Sequence, residues 1–550
     1  MNRGCSRVLL AALCWGLAVG TTVHADSYRL ELKIEPAQSL LVGRMTLRYR
    51  NLSAEPLNEV RLRLDLNLQT QPALTLRSVH DAAGLPMQWS FRPFEFGARA
   101  SEKGQVSVAL PKPLPPGQEA ELRIEFELGG KSLSDELIVL QDDPYTGLNA
   151  WYPKAMTLRD GSWSMDDDRP SSYSVLLDLP DGFTVASTGR GVDEKPAVGG
   201  RKTVQLEAEA VRGFAIYASK TLKEYRRAIG GVELRALVPE PSADLAQPML
   251  ETAADAIAFY QTNYGPYPAR HLDLLAVGSL GDKPHGGSAA CNVVIVWLGG
   301  QFKEQYRFLI AHEVAHQYFG SLIGLHRNEI GWAPIGLGMM MDHDFMVRNG
   351  LDDKNIRTTM LWFYFEAVRR GYDTSLNQPV DKLLKSAPPW SFGWIMSLEH
   401  GKAYAVCTLL QDLMGQDKFQ AVVRKVIQER AGGQLSGADL LRYCETELGS
   451  SLDWFAADWV RGQATLDYAV SRARPVGSQW EVSITRLGAA GYPVTVQAVT
   501  EKGETLCQRT DRKATAPTLL FATDSPLRSV VIDPDEVTPD LNRDNNRWPH

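Results

Sequence analysis

The chain of 550 residues is poor in cysteine, and no two of its six cysteines form a CxxC pair. Zinc-thiolate and thioredoxin-like sites therefore have little support. Neither sign of charge dominates, with 58 basic and 65 acidic side chains, and no basic run is interleaved with aromatics. Nucleic acid is not an expected partner. Internal repeats and low-complexity tracts are missing as well. Apart from one stretch near the start, itself short for a span, there is no long apolar run. What remains is 44% hydrophobic and 22% charged, the balance of an ordinary soluble globular protein. A chain of this length exceeds what one core can serve, so two to four domains are expected.

The one apolar stretch reads as part of an export signal. Arg3 and Arg7 give a positive start, residues 8–20 (VLLAALCWGLAVG) a short apolar region, and Val23-His24-Ala25 a cleavage site before Asp26. An uncleaved anchor is the alternative, but the run is short for a span. Cys14 follows Leu13 rather than a small residue, which argues against a lipoprotein. An exported, acidic protein, periplasmic or secreted, is the expectation, with no stable membrane span after cleavage. Four cysteines would remain: Cys291, Cys407, Cys444 and Cys507. Export would permit a disulfide, Cys407 with Cys444 being one pair; four buried free thiols are the other reading.

Residues 26–222 read as β. SYRLELKIEP, GRMTLRYRNL, VRLRLDLNL and AELRIEFEL alternate apolar and polar side chains between Pro, Gly and Asn breaks. From about residue 245 the period changes. QPMLETAADAIAFYQTNYG carries apolar residues at helical spacing and stops at Gly265-Pro266. Further helices are expected near 301–320, 333–348, 353–371, 402–415, 416–430 and 436–448. Alternation returns after about 471, in QWEVSITRL, YPVTVQAVT, TLLFAT and RSVVID, as in a small β-sandwich. The expected plan is α+β and multidomain: a signal at 1–25, a β domain at 26–222, a mostly helical domain at 223–470 and a β-sandwich at 471–550. The polar tail VTPDLNRDNNRWPH looks superficially like a calcium loop but lacks the EF-hand spacing and glycine.

Residues 312–316 read His-Glu-Val-Ala-His. This spacing puts two imidazoles one helical turn apart on one face, where both can reach one zinc ion. Glu313 lies between them, where it can take a proton from a metal-activated water. The preceding QFKEQYRFLIA is amphipathic and continuous with the motif. Its apolar flanks Leu309, Ile310 and Ala311 argue against a chance motif on a solvated helix.

HEVAHQYFG, followed by Trp332 sixteen residues after His316 and then by Gly336, resembles the alanyl aminopeptidase family of gluzincins, which includes the leukotriene-hydrolase aminopeptidase. NYGPYP (263–268), AWYPKA (150–155) and DWVRGQ (458–463) are similar to other segments of that family. The resemblance spans nearly the whole chain after residue 25. It implies an N-terminal β saddle domain, a thermolysin-like catalytic domain with zinc as cofactor, and a C-terminal β-sandwich. No counterpart of the family's large C-terminal helical domain is expected among these residues.

Three chemically important positions depart from that family. Its WLNEGF segment is WAPIGL here, so the Glu that would be the third zinc ligand falls on Ile335, whose alkyl side chain cannot coordinate. Its GxMEN loop corresponds to Gly286-Gly287-Ser288-Ala289-Ala290, so the Glu that holds a substrate's α-amine falls on Ala289. Its catalytic Tyr precedes a helix matched without a gap by KAYAVCTLLQDLMG (402–415), which places His400 there. A shifted register would place Leu398. His312 and His316 are thus the expected metal ligands, Glu313 and His400 the catalytic residues, and Gly286, Gly287 and Ala289 the substrate-binding strand. His400 can supply a third imidazole ligand, donate to an oxyanion, or face solvent at a helix entry. His285 ranks second as a replacement ligand. His343 and His326 read as surface histidines. Asp342 reads either as an acceptor behind a ligand imidazole or as a surface acid.

These residues support a hydrolase with a remodelled zinc site acting on a peptide or protein in the cleft. A catalytically inactive peptide- or protein-binding pseudopeptidase of the same fold is the alternative, and a metal-binding protein without hydrolysis is a third. Ordinary aminopeptidase activity is not expected.

Overall fold

A computed structural model describes residues 26–549 except 69–72, 135–136, 143–148, 160, 166–168, 278–285, 298–301, 327 and 387–396. The signal segment 1–25 and His285 lie outside the described residues. The architecture is α+β and multidomain: a β-rich N-terminal region, a helical middle region and C-terminal sheets. Among the described residues, no helix is long and apolar enough to cross a membrane.

The alternating segments form a seven-stranded sheet. Ser27–Glu35 lies at its centre, parallel to Ser171–Pro180 and antiparallel to Leu40–Arg50. Tyr28, Leu30, Leu32 and Ile34 all point into one core, as a period of two requires. The solvated face carries the cross-strand ion pairs Arg44–Glu125 and Arg48–Glu121, with Arg29 and Glu31 paired along one strand. Such exposed pairs contribute little to stability individually.

The middle region begins with a five-stranded mixed sheet. Its strand order is Leu222–Ile229, Val232–Pro239, His271–Val277, Val293–Trp297 and, at the edge, Gly286–Ala290. Helix α1 (Ala246–Asn263) buries Met249, Leu250, Ala253, Ala254, Ile257 and Tyr260 at helical spacing and ends at Gly265, whose φ is +140°. Helix α2 (Glu304–Ala315) carries the HExxH motif. It is shorter than the expected 301–320: Gly320, with φ +126°, belongs to the turn that follows. Helix α3 (Trp332–Arg348) starts after Gly331, whose φ of +74° suits glycine, and is buried along nearly its whole length. Helices α4 (Asp353–Arg369), α5 (Ala403–Met414), α6 (Gln416–Arg430) and α7 (Gly437–Leu448) lie within two residues of the expected bounds. A π-helical turn, Leu398–Lys402, leads into α5.

The C-terminal strands form one sheet of three and one of four. The Tyr492 hydroxyl ties them to α5 through the Leu409 carbonyl at 2.9 Å and Asp412 at 2.6 Å. Their inner side chains continue the core of the helical region. The acidic tail builds turns: Asp533 accepts from the backbone of Val537 and Thr538, and Asp540 from that of Tyr468 and Asn542. The four cysteines among the described residues are free, so Cys407 and Cys444 are not bonded to each other. Cys291, Cys407 and Cys444 are buried, but Cys507 is exposed at a sheet edge, which corrects the reading of four buried thiols.

Candidate metal centre

Helix α2 presents His312 and His316 on one face, with their Nε2 atoms 3.0 Å apart. Both rings are buried, and each has its other nitrogen engaged. His312 Nδ1 lies 2.6 Å from Asp342 Oδ2, and His316 Nδ1 lies 3.3 Å from the Phe319 carbonyl. Acceptors on Nδ1 fix the tautomer that turns the Nε2 lone pair toward a common point. Asp342 is fully buried and also accepts from the Tyr260 hydroxyl at 3.1 Å. It is the acceptor behind a ligand-type imidazole, not a surface acid.

The third imidazole arrives from the π-helical turn. His400 is half-buried, with its ring centroid 5.4 Å from that of His312 and 6.4 Å from that of His316. One nitrogen from each of the three rings lies within 4.8 Å of the others. Leu398, the alternative register, is buried in the apolar core. Lys402 anchors the turn. Its buried ammonium donates to Asp373 at 2.7 Å, the Thr374 carbonyl at 2.7 Å and the Gly462 carbonyl at 3.1 Å. Burial pulls the Lys402 pKa down and the Asp373 carboxylate partly offsets this. Gly462 lies in the DWVRGQ segment, so that stretch helps to seat the turn bearing His400. Gly401 permits the close approach of α4, since a Cβ there would lie 2.6 Å from the Tyr364 amide nitrogen.

The chemistry of this donor set suits a zinc ion. Tetrahedral zinc with nitrogen ligands at about 2.0–2.1 Å would separate the nitrogens by about 3.3 Å. The 3.0 Å between His312 and His316 is close to that spacing. Without a cation or a shared proton, two lone pairs so near would repel. Burial opposes charge on His312, but the Asp342 carboxylate outweighs it and holds the pKa above the ordinary imidazole value. On His316, burial and then the His312 and His400 imidazoles push the pKa well below it. His316 is thus held as a neutral donor.

Glu313 is buried beside the edge strand Gly286–Ala290. At Gly287 a Cβ would sit 2.8 and 2.9 Å from the Glu313 Cγ and Cδ, so only glycine leaves that carboxylate in place. Gly286, Gly287 and Ala289 pair with Trp297, Val296 and Val294, and Ala289 is buried with no charge to offer an ammonium. Ile335 is buried in the core on α3. His343 is not a surface residue. It is buried, 2.5 Å from the Tyr404 hydroxyl through Nδ1 and 2.6 Å from Asp353 through Nε2. His326 is half-buried. The Lys402–Asp373 pair and the His343 network escaped the sequence reading. No local pattern distinguishes a buried lysine or histidine from a solvated one.

Residues 249–459 match the peptidase family M1 domain. The Tricorn protease-interacting factor F2 of Thermoplasma volcanium is 22% identical over 269 residues, covering 46% of this chain and 34% of that protein. Aminopeptidase M1-D of Oryza sativa subsp. japonica is 22% identical over 310 residues, covering 54% of this chain and 35% of that protein. The chain thus spans about a third of the length of the curated relatives it matches. Among solved structures, an M1 zinc metallopeptidase mutant from Deinococcus radiodurans superposes with a TM-score of 0.62 at 16% identity, covering 80% of this chain and 94% of that one. An M1 zinc metallopeptidase mutant from Deinococcus radiodurans bound to a Tyr-Ser-Ala substrate superposes with a TM-score of 0.59 at 17% identity, with the same coverage. Both likenesses show the fold.

Proposed function

We propose that this chain, whose residues 249–459 match the peptidase family M1 domain, is a zinc-dependent peptide hydrolase of the alanyl aminopeptidase-like type with a three-histidine site. His312, His316 and His400 would hold the metal. One observation supports this above all: His400 lies with the HExxH pair in a single cluster of donors while Ile335 fills the usual ligand position. Zinc bound there would supply a Lewis acid that polarises a peptide carbonyl and activates water.

The side chains divide the remaining work. Asp342 and the Phe319 carbonyl orient the two α2 imidazoles. Glu313 is the buried carboxylate beside the cluster, suited to take the attacking water's proton and pass it to the leaving amine. The edge strand of Gly286, Gly287 and Ala289 supports a peptide without anchoring its terminus, since Ala289 offers only a methyl group. A free α-amine should therefore matter little, and internal peptide bonds are the expected substrates. An export role rests on residues 1–25, and N-terminal sequencing that finds Asp26 first would support it.

The test compares aminoacyl-anilides with N-blocked peptides of the same sequence on zinc-loaded protein. The expected outcome is comparable hydrolysis of blocked and unblocked substrates. Glu313→Gln should keep its metal and lose about 10²–10⁴ in turnover. A strong preference for the unblocked amine would overturn the specificity proposed. Peptide binding without any cleavage would favour the pseudopeptidase reading.

A further inference from the structure

Resting on the reading of His400 as a ligand, we infer that His343 is a positioning residue for that third imidazole, acting through Tyr404. Helix α3 supplies no metal ligand of its own, because Ile335 stands where one would be. Two adjacent residues near its far end nevertheless reach the two elements that do. Asp342 holds His312 on α2 at 2.6 Å. His343 holds Tyr404 on α5 at 2.5 Å. Tyr404 lies four residues after His400, one helical turn along, so its hydroxyl fixes the rotation of the segment that presents the third imidazole.

The tether is complete at its other end. His343 Nε2 lies 2.6 Å from Asp353 Oδ1; the carboxylate can only accept, so the imidazole donates. Asp353 in turn accepts from Arg357 at 2.6 Å, and Arg357 reaches the Asp535 carbonyl at 2.8 Å. Hydrogen bonding from His343, then Arg357, holds the Asp353 carboxyl below its usual range. Both ring nitrogens of His343 are thus occupied, with one neighbour on α5 and the other on α4. Gly336 brings α3 and α5 into close contact, since a Cβ there would lie 2.6 Å from Cys407 Sγ and 2.9 Å from the Ala403 carbonyl. Lys402 fixes the turn through Asp373. Helix α3 therefore acts as a splint: it no longer coordinates, but it sets the mutual geometry of the imidazoles that do.

The experiment measures zinc affinity by competition with a chromophoric chelator and records the visible ligand-field bands of the cobalt-substituted protein. Tyr404→Phe removes only the hydroxyl and should weaken zinc binding about 10- to 100-fold and shift the cobalt bands. Tyr152→Phe, at an equally buried tyrosine in the separate core of the N-terminal β region, controls for general loss of packing. It should leave affinity and bands at wild-type values. His343→Gln can still donate and accept, and should restore part of the affinity lost in His343→Ala. If Tyr404→Phe does not fold, Asp353→Asn, whose side chain is 44% exposed, carries the same test with a several-fold weakening expected. Wild-type affinity and bands in the folded variants, alongside metal loss in His400→Ala, would overturn the positioning role alone. Unchanged metal binding in His400→Ala would overturn the ligand reading and this inference with it.

Discussion

Asp142 and His316 are both buried, but their surroundings differ in kind. Asp142, in the N-terminal β region, accepts from Lys154 at 3.0 Å, from the Tyr152 hydroxyl at 2.5 Å and from the Phe214 amide at 3.0 Å. Lys154 also donates to the Arg212 carbonyl at 2.8 Å, and Tyr152 meets Tyr173 at 2.8 Å. Charge is matched by charge and the network closes on itself. Around His316 the balance is different. Three imidazoles converge, and Asp342 is the carboxylate hydrogen-bonded to one of them. Burial and the neighbouring rings depress the His316 pKa well below the imidazole range. A network built for stability satisfies its own polar groups; one built for a ligand leaves lone pairs aimed at a shared point.

The largest effect should come from breaking the closed network. Lys154→Met leaves Asp142 buried without its cation and should cost about 3–5 kcal/mol of stability in denaturant unfolding. Zinc per folded chain should not change. If the zinc content fell in proportion, the two networks would not be separate in function.

Asp540 sharpens the contrast, being a buried carboxylate that accepts from the backbone amides of Tyr468 and Asn542. Burial pushes its pKa from 3.8 up to about 6. The folded protein therefore keeps this proton up to about pH 6, whereas the unfolded chain releases it near the lower value. Its contribution to stability is greatest below about pH 4 and falls as pH rises to about 6, by at most about 3 kcal/mol. Unfolding curves across that window should show the fall in the wild type. In Asp540→Asn, that share of the pH dependence should disappear.

A smaller effect is expected at the edge strand. Gly287→Ala should push the Glu313 carboxylate aside and lower turnover about tenfold, roughly 1.4 kcal/mol in barrier, while zinc binding stays intact. Single-turnover kinetics and metal analysis on the same sample would separate the two. Unchanged turnover would mean that Glu313 does not act from this position.

Much of this was legible in the sequence because it is local. Alternation in SYRLELKIEP gives a strand with one buried face, and HExxH on an amphipathic run gives two imidazoles on one side of α2. The gapless match of residues 402–415 to a family helix pointed to His400 and left Leu398 open; the structure places His400 at the cluster and Leu398 in the core. What the sequence hid lies across the fold. His343 looks like an exposed residue in the run DHDF, yet its partners Asp353 and Tyr404 are ten and sixty-one residues away. The contact of Gly287 with Glu313 and the seating of Lys402 by Asp373 and Gly462 likewise depend on packing between distant elements. No periodicity encodes them.

Zinc content of the purified protein, wild type beside His400→Ala, tests the central claim most directly. If His400 completes the site with His312 and His316, the wild type should hold close to one zinc per chain, and His400→Ala should lose it as fully as His312→Ala. A wild type without zinc, in which Ile335→Glu restores binding, would contradict the account and mark the cleft as a retired catalytic site.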